Sequence, residues 1–453
     1  MKAPLIFLMV FLLASNSMAA KASPNVILIM ADDLGYNDLS CYGSVTIKTP
    51  VLDQLAAEGV RLTSFYSGST ICTPSRMALL TGLYPVRCGW QGGVVGYGIK
   101  PQNGLAPATT TIAEIFKQAG YETALIGKWH LGDSTAHSPA VHGFNTTYFI
   151  NKSNNQTKQL WRGNELIADP FDNRHLTELF TDEAIRFVES NHGKPFFLYL
   201  PFSAPHFPAE AHPDWKGKTK LGAYGDVVEE LDSRIGDLLK ALHRLKIEDN
   251  TIVVFLSDNG VEPGQKQWAQ STPYRGLKWS TLEGGNRVPC IIRWPGRIPA
   301  RQTNNHIISA IDLLPSLTVA CQLNNRMVKD TIAKINGVNI MPSLCRRGAG
   351  RPARSTLLFW HGWGTPQAIR SGNWKLYFDE IEELPDSQQG PVLINLKNDP
   401  AEHTNLSQQN PKRVAELLDE ARRQLTEIGG NTMALGGPVD SKAKVPAKPK
   451  WLP

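Results

Sequence analysis

The stretch NVILIMADD, residues 25–33, decides the fold class. After Asn25 it runs through five consecutive apolar residues to Met30, with no polar alternation. An unbroken apolar run of this length is typical of a strand buried on both faces, as in a parallel sheet covered by helices. Asp32 and Asp33 follow almost directly, so this strand is predicted to end in two carboxylates.

Outward from this strand, short apolar runs alternate with segments of helical period. Further strands are predicted at Val60–Tyr66, Tyr121–Ile126, Phe196–Leu200 and Thr251–Leu256. Helices are predicted at Val51–Glu58, Thr111–Ala119 and Asp226–Leu245. This alternation is typical of α/β proteins. We therefore expect a large mixed, mostly parallel sheet sandwiched by helices.

Four predicted strands lead into polar, titratable clusters. Asp32-Asp33, Lys128 with His130, His206 and Asp258-Asn259 each follow a different strand. Ligands of open parallel sheets bind beyond the carboxyl ends of the strands. The four clusters are therefore predicted to converge on one site.

The chain is long enough for one large core and a smaller appendage, with 453 residues of which 42% are hydrophobic. Residues 21–350 are predicted to form the larger domain and 351–440 a smaller α+β domain with a short antiparallel sheet. Its predicted elements are strands at Leu357–Trp360, Trp374–Phe378 and Val392–Leu396 and a helix at Pro411–Ile428. Residues 441–453 are rich in Lys and Pro and are predicted to be a disordered tail.

The amino terminus has the pattern of a signal peptide. Met1-Lys2 precedes an apolar run from Leu5 to Ala14, and small residues then lead to Ala20. Residues 1–20 are therefore predicted to be removed during export, and the run is short for a membrane span. We expect a periplasmic or secreted protein that leaves the membrane once the signal is cleaved.

The net charge of +6 is modest and is not gathered into Lys or Arg runs. This pattern argues against nucleic acid as a partner. It suits an anionic small molecule or a polysaccharide.

The most specific local pattern is ICTPSR, residues 71–76, followed by MALLTG, residues 77–82. Pro74 favours the first turn of a helix and Thr73 can cap it, so Cys72 is predicted just before a helix amino terminus. The helix dipole there favours negative charge, and Arg76 lies one turn later. The alternative is a buried structural cysteine before an ordinary helix.

The Cys72-x-Pro74-Ser75-Arg76 pattern, with a downstream Thr81-Gly82, resembles the modification signature of the type I sulfatases of the alkaline phosphatase superfamily. The resemblance extends from Pro24-Asn25-Val26 to residues 398–402. It implies an alkaline phosphatase-like fold. It also implies that a formylglycine-generating maturation enzyme oxidises Cys72 to formylglycine, whose hydrated aldehyde is the nucleophile.

In this family the positions of Asp32, Asp33, Asp258 and Asn259 bind one metal ion together with residue 72. Three carboxylates and one amide oxygen form a hard, all-oxygen site, which favours calcium or magnesium over zinc. The resemblance implies Ca2+. Alternatively, Asp-Asp is a capping turn and Asp-Asn-Gly a tight turn.

The resemblance also implies roles for the remaining polar residues. Lys128 binds sulfate oxygens, and His130 is the base that later collapses the intermediate. His206 is the general acid, and Lys278 contacts both the sulfate and the leaving oxygen. Arg76 orients the aldehyde hydrate. The alternatives are an ordinary loop at residues 127–132, a structural His206 and a solvated Lys278.

The substrate is expected to contact less regular segments at the strand ends. Candidates are Ser134–Arg174 (with Asn151, Asn155, Trp161, Arg162 and, nearby, His175), Glu262–Arg275 (with Gln265, Lys266 and Trp268) and Trp360–Gly364. Aromatic residues beside amides and basic groups suit stacking on sugar rings while pairing with sulfates. A sulfated carbohydrate or polysaccharide is therefore the predicted substrate.

Two other functions remain open at this point. A phosphonate monoester or phosphodiester hydrolase of the same superfamily can share the Cys72 signature and the metal site. A non-catalytic glycan-binding relative would keep Cys72 as a thiol.

The chain has six cysteines. If Cys72 becomes the nucleophile, an odd number remains for disulfides, namely Cys41, Cys88, Cys290, Cys321 and Cys345. At least one of these is then a free thiol. A bridge between Cys321 and Cys345 is a further expectation.

Overall fold

A computed structural model describes residues 23–100, 103–348, 350–378 and 390–429, together with residues 381, 383, 384, 386 and 387. The predicted signal peptide, residues 1–20, and the predicted tail, residues 441–453, lie outside the described residues. Within these ranges no helix combines the length and the apolarity needed to cross a bilayer.

The core of the molecule is a ten-stranded sheet. Its strands are, from edge to edge, Gln302–Asn304, Val60–Leu62, Cys290–Arg293, Thr251–Ser257, Asn25–Ala31, Phe196–Pro201, Glu122–Lys128, Thr146–Ile150, Leu160–Arg162 and Glu165–Ala168. The five strands in the middle, from Thr251–Ser257 to Thr146–Ile150, are mutually parallel. Antiparallel pairings occur on both sides of them. The predicted mixed, mostly parallel sheet is confirmed.

The central strand Asn25–Ala31 is buried along its whole length. Alternate side chains enter two apolar cores, with Val26 and Leu28 on one face and Ile27 and Ile29 on the other. Helices cover both faces, which explains why the sequence shows no polar alternation here.

One predicted strand divides in two. Val60–Leu62 lies in the large sheet, whereas Phe65–Tyr66 pairs with Ile308–Ser309 in a separate two-stranded sheet. Between the two halves, Arg287 donates to the Thr63 carbonyl at 2.8 Å and to the Ser64 hydroxyl at 2.8 Å. These bonds hold the chain where it leaves the large sheet. A second small sheet pairs Val94–Val95 with Gly98–Ile99.

The described α-helices include those predicted near Val51–Glu58, after Cys72, and near Thr111–Ala119, Asp226–Leu245 and Pro411–Ile428, together with others that were not predicted. They span Pro50–Glu58, Cys72–Thr81, Ile112–Gln118, Leu176–Asn191, Gly222–Arg244, Glu283–Asn286, Leu313–Ala320, Arg326–Ile332, Met341–Leu344 and Pro411–Gly429. Thr111 begins the third with a capping box, in which its hydroxyl accepts from the Glu114 amide. The long helix Gly222–Arg244 packs Leu231, Ile235 and Leu238 against the sheet.

A four-stranded antiparallel sheet follows in the carboxyl-terminal part. Its strands are Thr356–Trp360, Pro366–Ser371, Trp374–Tyr377 and Val392–Asn395. The helix Pro411–Gly429 contacts the two inner strands. The short antiparallel sheet is confirmed, but the strand Pro366–Ser371 was not predicted, because Pro366 and the buried Arg370 interrupt its apolar pattern.

The predicted bridge between Cys321 and Cys345 is wrong, since all six cysteines are thiols. Cys321 is buried, with its Sγ 3.9 Å from the Pro24 carbonyl oxygen. Cys345 is exposed at the end of the short helix Met341–Leu344. The core position of one and the surface position of the other keep the two sulfur atoms apart.

Candidate active site

The polar clusters predicted at the strand ends converge at the carboxyl edge of the parallel strands. The residues brought together there are Asp32, Asp33, Cys72, Arg76, Lys128, His130, His206, Asp258, Asn259 and Lys278. All of them are buried. Such a concentration of buried charge away from water is costly unless the groups compensate one another or bind a ligand.

Cys72 is the first residue of the helix Cys72–Thr81, and Ile71 is the amino-terminal cap. The predicted capping by Thr73 is therefore wrong. The Thr73 hydroxyl instead donates to the His130 carbonyl at 2.9 Å and accepts from the Val95 amide at 3.1 Å. It thus ties the helix start to the segment that carries His130.

The Cys72 Sγ lies 3.6 Å from Asp32 Oδ1. Burial raises the pKa of the Cys72 thiol, although Lys128 and Lys278 oppose this effect. A thiol in this position stays protonated and is a poor nucleophile.

Oxygen atoms cluster beside Cys72. Asn259 Nδ2 donates to Asp33 Oδ1 at 2.6 Å, and the Asp33 amide donates to Asp258 Oδ1 at 3.2 Å. Donor atoms of Asp32, Asp33, Cys72 and His206 lie within 4.8 Å of one another. The two predicted acidic pairs therefore form one cluster.

The chemistry of this cluster fits a hard divalent cation. Asn259 Oδ1 is buried and has no hydrogen-bond partner among the described residues, although buried polar atoms normally have one. Burial and the neighbouring Asp32 raise the pKa of Asp258 to about 7. A cation among these oxygens would satisfy the amide oxygen and relieve the repulsion between the carboxylates.

Three cationic side chains surround the cluster. Lys128 Nζ lies 2.5 Å from Asp32 Oδ2, and Lys278 Nζ lies 2.8 Å from Asp33 Oδ2. Arg76 donates to Asp258 Oδ2 at 2.8 Å. Burial opposes ionisation of Asp32, but Lys128 and the other cations hold its pKa well below the usual range.

Arg76 also donates to the Lys128 carbonyl at 2.9 Å. Its fully buried guanidinium therefore links the strand end that carries Lys128 to the one that carries Asp258. Lysine could not make both contacts with the same planar geometry.

The two histidines face Cys72 from different strand ends. His130 Nε2 lies 3.0 Å from the Val95 carbonyl, and its Nδ1 lies 3.4 Å from the Ser153 hydroxyl. His206 Nε2 lies 3.6 Å from Asp33 Oδ2. Burial, followed by Lys128, lowers the pKa of His130 well below its ordinary value, and burial and Lys278 lower that of His206 to about 3. Both rings are therefore neutral near pH 7.

Three residues at this site have a strained backbone. Asp33, His130 and Trp279 have positive φ values of 64°, 55° and 80°. Non-glycine residues adopt this left-handed conformation only when the surrounding structure compensates its cost. The fold thus holds these three positions in fixed, unfavourable geometry beside Cys72.

Cys72 opens into a cavity of about 380 Å³, which is within the range of ligand sites. Its lining residues are Cys72, Val94, Tyr97, His130, Ser153, Asn155, Gln156, His206, Phe207, Glu262, Gly264, Lys278 and Trp279. Tyr97 and Trp279 were not singled out from the sequence. The glycine-rich segment around Tyr97 and the closeness of Trp279 to Lys278 are the signals that could have indicated them.

Comparison with known proteins identifies the family. The family model described as Sulfatase matches residues 24–321. The chain belongs to the sulfatase family. It is 34% identical over 395 residues to an arylsulfatase of Hemicentrotus pulcherrimus, covering 82% of this chain and 70% of that protein. It is 32% identical over 440 residues to the human N-acetylgalactosamine-6-sulfatase, covering 86% and 82%.

Among solved structures, this sulfatase is similar to the crystal structure of Ps i-CgsB in complex with k-i-k-neocarrahexaose. The TM-score is 0.78 at 28% identity, over 92% of this chain and 95% of that one. The fold predicted from the resemblance, that of the alkaline phosphatase superfamily, is confirmed, and the sulfatase is a sulfuric ester hydrolase.

The residues predicted to contact substrate lie in different places in the sulfatase: some at the Cys72 cavity, some at a separate cavity and others at neither. Asn155 lines the cavity, and Trp363 packs on Trp279 at 5.1 Å between ring centroids. Asn151 and Trp161 line a separate cavity of about 110 Å³.

The remaining candidates make contacts elsewhere. Arg162 pairs with Glu183, His175 lies 3.2 Å from Glu178 Oε2, and Gln265 donates to the Pro205 carbonyl at 2.9 Å. Lys266 and Trp268 do not line the cavity, and Trp360 is buried against Tyr84. Among the described residues, the basic candidates Arg162, His175 and Lys266 therefore do not line the cavity, so their predicted role in binding substrate stays a prediction.

Proposed function

We propose that this sulfatase hydrolyses sulfate monoesters of a carbohydrate, using formylglycine made from Cys72 and one Ca2+ ion. The observation that carries the proposal is the position of Cys72. It begins a helix at the floor of the cavity, 3.6 Å from the nearest carboxylate oxygen of the acidic cluster. A buried thiol with a raised pKa is ill suited to attack sulfur, which supports the conversion of residue 72 to a different nucleophile.

Asp32, Asp33, Asp258, Asn259 and residue 72 would hold the calcium ion. Their oxygen donors and the unpartnered amide oxygen of Asn259 support this assignment. When present, formylglycine and calcium supply a hydroxyl group of lowered pKa as the nucleophile and a route for releasing sulfate without a second attack by water. We propose that a formylglycine-generating enzyme converts Cys72.

Lys128 and Lys278 would bind the sulfate oxygens. Their Nζ atoms contact Asp32 and Asp33, and both charges act on Cys72, which supports a role for both in binding a sulfate at residue 72. Charge placed beforehand at the reacting group is one of the largest contributions to catalysis. Arg76 would fix the orientation of residue 72 through its contacts with Asp32 and Asp258.

His206 would protonate the departing alcohol, and His130 would remove a proton from residue 72 when sulfate is released. Burial, followed by the nearby Lys278, keeps His206 neutral, although Asp33 Oδ2 lies within 3.6 Å of both side chains. A bound sulfate ester brings negative charge to this side chain, which raises its pKa and favours the protonated form. His130 is already neutral and is ready to accept a proton.

A carbohydrate is the proposed carrier of the sulfate. Tyr97 and Trp279 line the cavity with their aromatic rings, and Asn155 and Gln156 add amide groups. Aromatic faces beside amides are suited to sugar rings and their hydroxyl groups. The similarity to a sulfatase named for N-acetylgalactosamine and to one solved with a neocarrahexaose supports the same class.

We also propose that residues 1–20 direct export to the periplasm or the exterior. In the mature chain, residues 21–350 would form the catalytic domain and residues 351–440 a smaller domain that closes it. Lys375, on the small sheet, supports this arrangement by pairing at 2.8 Å with Glu283, which follows Lys278 in sequence.

Turnover of 4-nitrophenyl sulfate and bis(4-nitrophenyl) phosphate, a phosphodiester, tests the proposed reaction. The wild type should hydrolyse the sulfate faster, and Cys72→Ala should abolish this activity because the nucleophile is removed. Cys345→Ala, at an exposed thiol, is the matched control and should retain it. Faster turnover of the phosphate ester would favour the phosphonate monoester or phosphodiester hydrolase. If the protein hydrolysed neither ester but still bound sulfated glycans, the non-catalytic alternative would be favoured.

A further inference from the structure

The cavity above Cys72 has an uneven distribution of charge. Its cation, Lys278, and its two histidines lie at the floor, where the reacting sulfate would bind. Glu262 is the one carboxylate among the described residues that line the cavity. Its Oε2 lies 3.0 Å from Lys278 Nζ, and its side chain is 29% exposed. Glu262 therefore places negative charge beside the reacting group and within reach of solvent.

Three basic residues of the predicted substrate segment Ser134–Arg174 are paired elsewhere. Lys152 Nζ lies 3.0 Å from Asp133, Arg174 Nη2 lies 2.6 Å from Asp172, and Arg162 pairs with Glu183. None of these cations belongs to the described lining. The one lysine in the described lining, Lys278, is shared between Glu262 and Asp33 and would also contact the reacting sulfate, so a second anionic group on the substrate would meet Glu262 without a cation of its own.

The rest of the lining is neutral. Tyr97 and Trp279 stand edge to face with ring centroids 6.0 Å apart, and Phe207 is 55% exposed. Asn155 and Gln156 supply amides that can pair with hydroxyl groups. These groups match a sugar ring with hydroxyl substituents.

We propose that Glu262 is a specificity-determining residue that restricts this sulfatase to sulfate esters on otherwise uncharged sugar units. A carboxylate accepts hydrogen bonds from sugar hydroxyl groups but repels a second sulfate or a uronate carboxylate beside the reacting ester. The enzyme would thus distinguish uncharged from charged sugar units in two ways: Glu262 repels a second anionic group, and the neutral residues of the lining contact an uncharged sugar. This inference rests on the proposed sulfatase reaction at residue 72.

The test uses two aryl sulfates that differ in one ring substituent, a neutral hydroxymethyl group or a carboxylate. The wild type should prefer the neutral probe, and Glu262→Gln should raise kcat/KM for the anionic probe relative to the neutral one. At the effective dielectric near a protein surface, removal of one like charge roughly 6–8 Å away corresponds to roughly a 30- to 100-fold change in this ratio. The change should shrink at high salt, because the groups are partly exposed.

Glu262→Asp keeps the carboxylate and should keep the preference. Glu165→Gln removes an exposed carboxylate outside the cavity and should leave the ratio unchanged. If Glu262→Gln also disturbs Lys278, kcat/KM falls by the same factor for both probes. This effect therefore cancels in the ratio of the two kcat/KM values.

An unchanged ratio in Glu262→Gln, with both probes hydrolysed, would overturn the specificity proposal and leave the sulfatase reaction standing. If the wild type with converted residue 72 hydrolysed neither probe, nor any mono- or disulfated sugar, the proposed function itself would fail. Monosulfated and disulfated N-acetylgalactosamine extend the comparison to sugars, and preference for the disulfated form would also overturn the proposal.

Discussion

His142 is a buried ring that should make the sulfatase sensitive to acid. It lies in the core beneath the active site, 5.5 Å from Trp129 between ring centroids. Neither of its ring nitrogens has a hydrogen-bond partner among the described residues. Burial, followed by the nearby His137, lowers the pKa of His142 from 6.5 to about 4. Trp129 lies between Lys128 and His130 in sequence. Protonation of His142 would therefore disturb the packing of Trp129 and, through it, the segment that carries Lys128 and His130.

The sign of the effect follows from this lowered pKa. The unfolded chain binds a proton at His142 below pH 6.5, whereas the folded chain binds it only near pH 4. Stability contributed by the neutral ring is therefore present above pH 6.5 and is lost as the pH falls toward 4. Between pH 7.5 and pH 5 the loss assigned to His142 is about 2 kcal/mol, since one pKa unit corresponds to ~1.4 kcal/mol.

His142→Phe replaces the ring with an apolar one that can pack on Trp129. Urea unfolding followed by Trp fluorescence at pH 7.5 and pH 5 gives the free energy of unfolding of each protein. The variant should lose about 2 kcal/mol less than the wild type between the two pH values. His192→Phe, at an exposed ring in contact with water, is the control and should lose as much as the wild type. Equal losses for His142→Phe and the wild type would refute the reasoning.

Three further results are expected. Lys375→Met should lower the free energy of unfolding by about 3–5 kcal/mol in urea titrations, because it leaves the buried Glu283 and Glu402 without their shared cation; a loss no larger than that of the exposed Lys397→Met would contradict this. Removal of Ca2+ by a chelator should abolish aryl sulfatase activity and added Ca2+ should restore it, since the donors are oxygens; full activity after exhaustive chelation would exclude the metal site. His206→Gln should lower kcat by roughly 10²–10⁴ for an alkyl sulfate and far less for 4-nitrophenyl sulfate, whose leaving group needs no proton; equal losses for both esters would remove His206 from the role of general acid.

The central sheet could be predicted because its strands are buried on both faces. Asn25–Ala31 and Thr251–Ser257 show this as unbroken apolar runs, and each run ends where a polar cluster begins. The strand Pro366–Ser371 could not be predicted in the same way. Its Arg370 is buried beside Glu283 and Tyr66, so a tertiary ion cluster takes the place of an apolar pattern.

Most of the polar cluster could be predicted because Asp32, Asp33, Lys128, His130, His206, Asp258 and Asn259 stand at or after the ends of strands and Cys72 begins a helix. Lys278 has no such position and was indicated by the family resemblance alone. The shape of the cavity could not be predicted, because it depends on contacts between segments far apart in sequence. Thr73 binds the His130 and Val95 backbones, and Trp279 meets Trp363, which lies in the loop between the strands Thr356–Trp360 and Pro366–Ser371. Glu262 lay at the edge of a predicted substrate loop, but its contact with Lys278 exists only in the folded chain.

Mass spectrometry of residue 72 tests the central claim most directly. In protein from the native host, the tryptic peptide Leu62–Arg76 contains this residue. Conversion of the thiol to the aldehyde removes about 18 Da from the peptide. The account predicts this loss in the fraction of molecules that hydrolyses aryl sulfates. An unmodified Cys72 thiol in every molecule of an active preparation would contradict it.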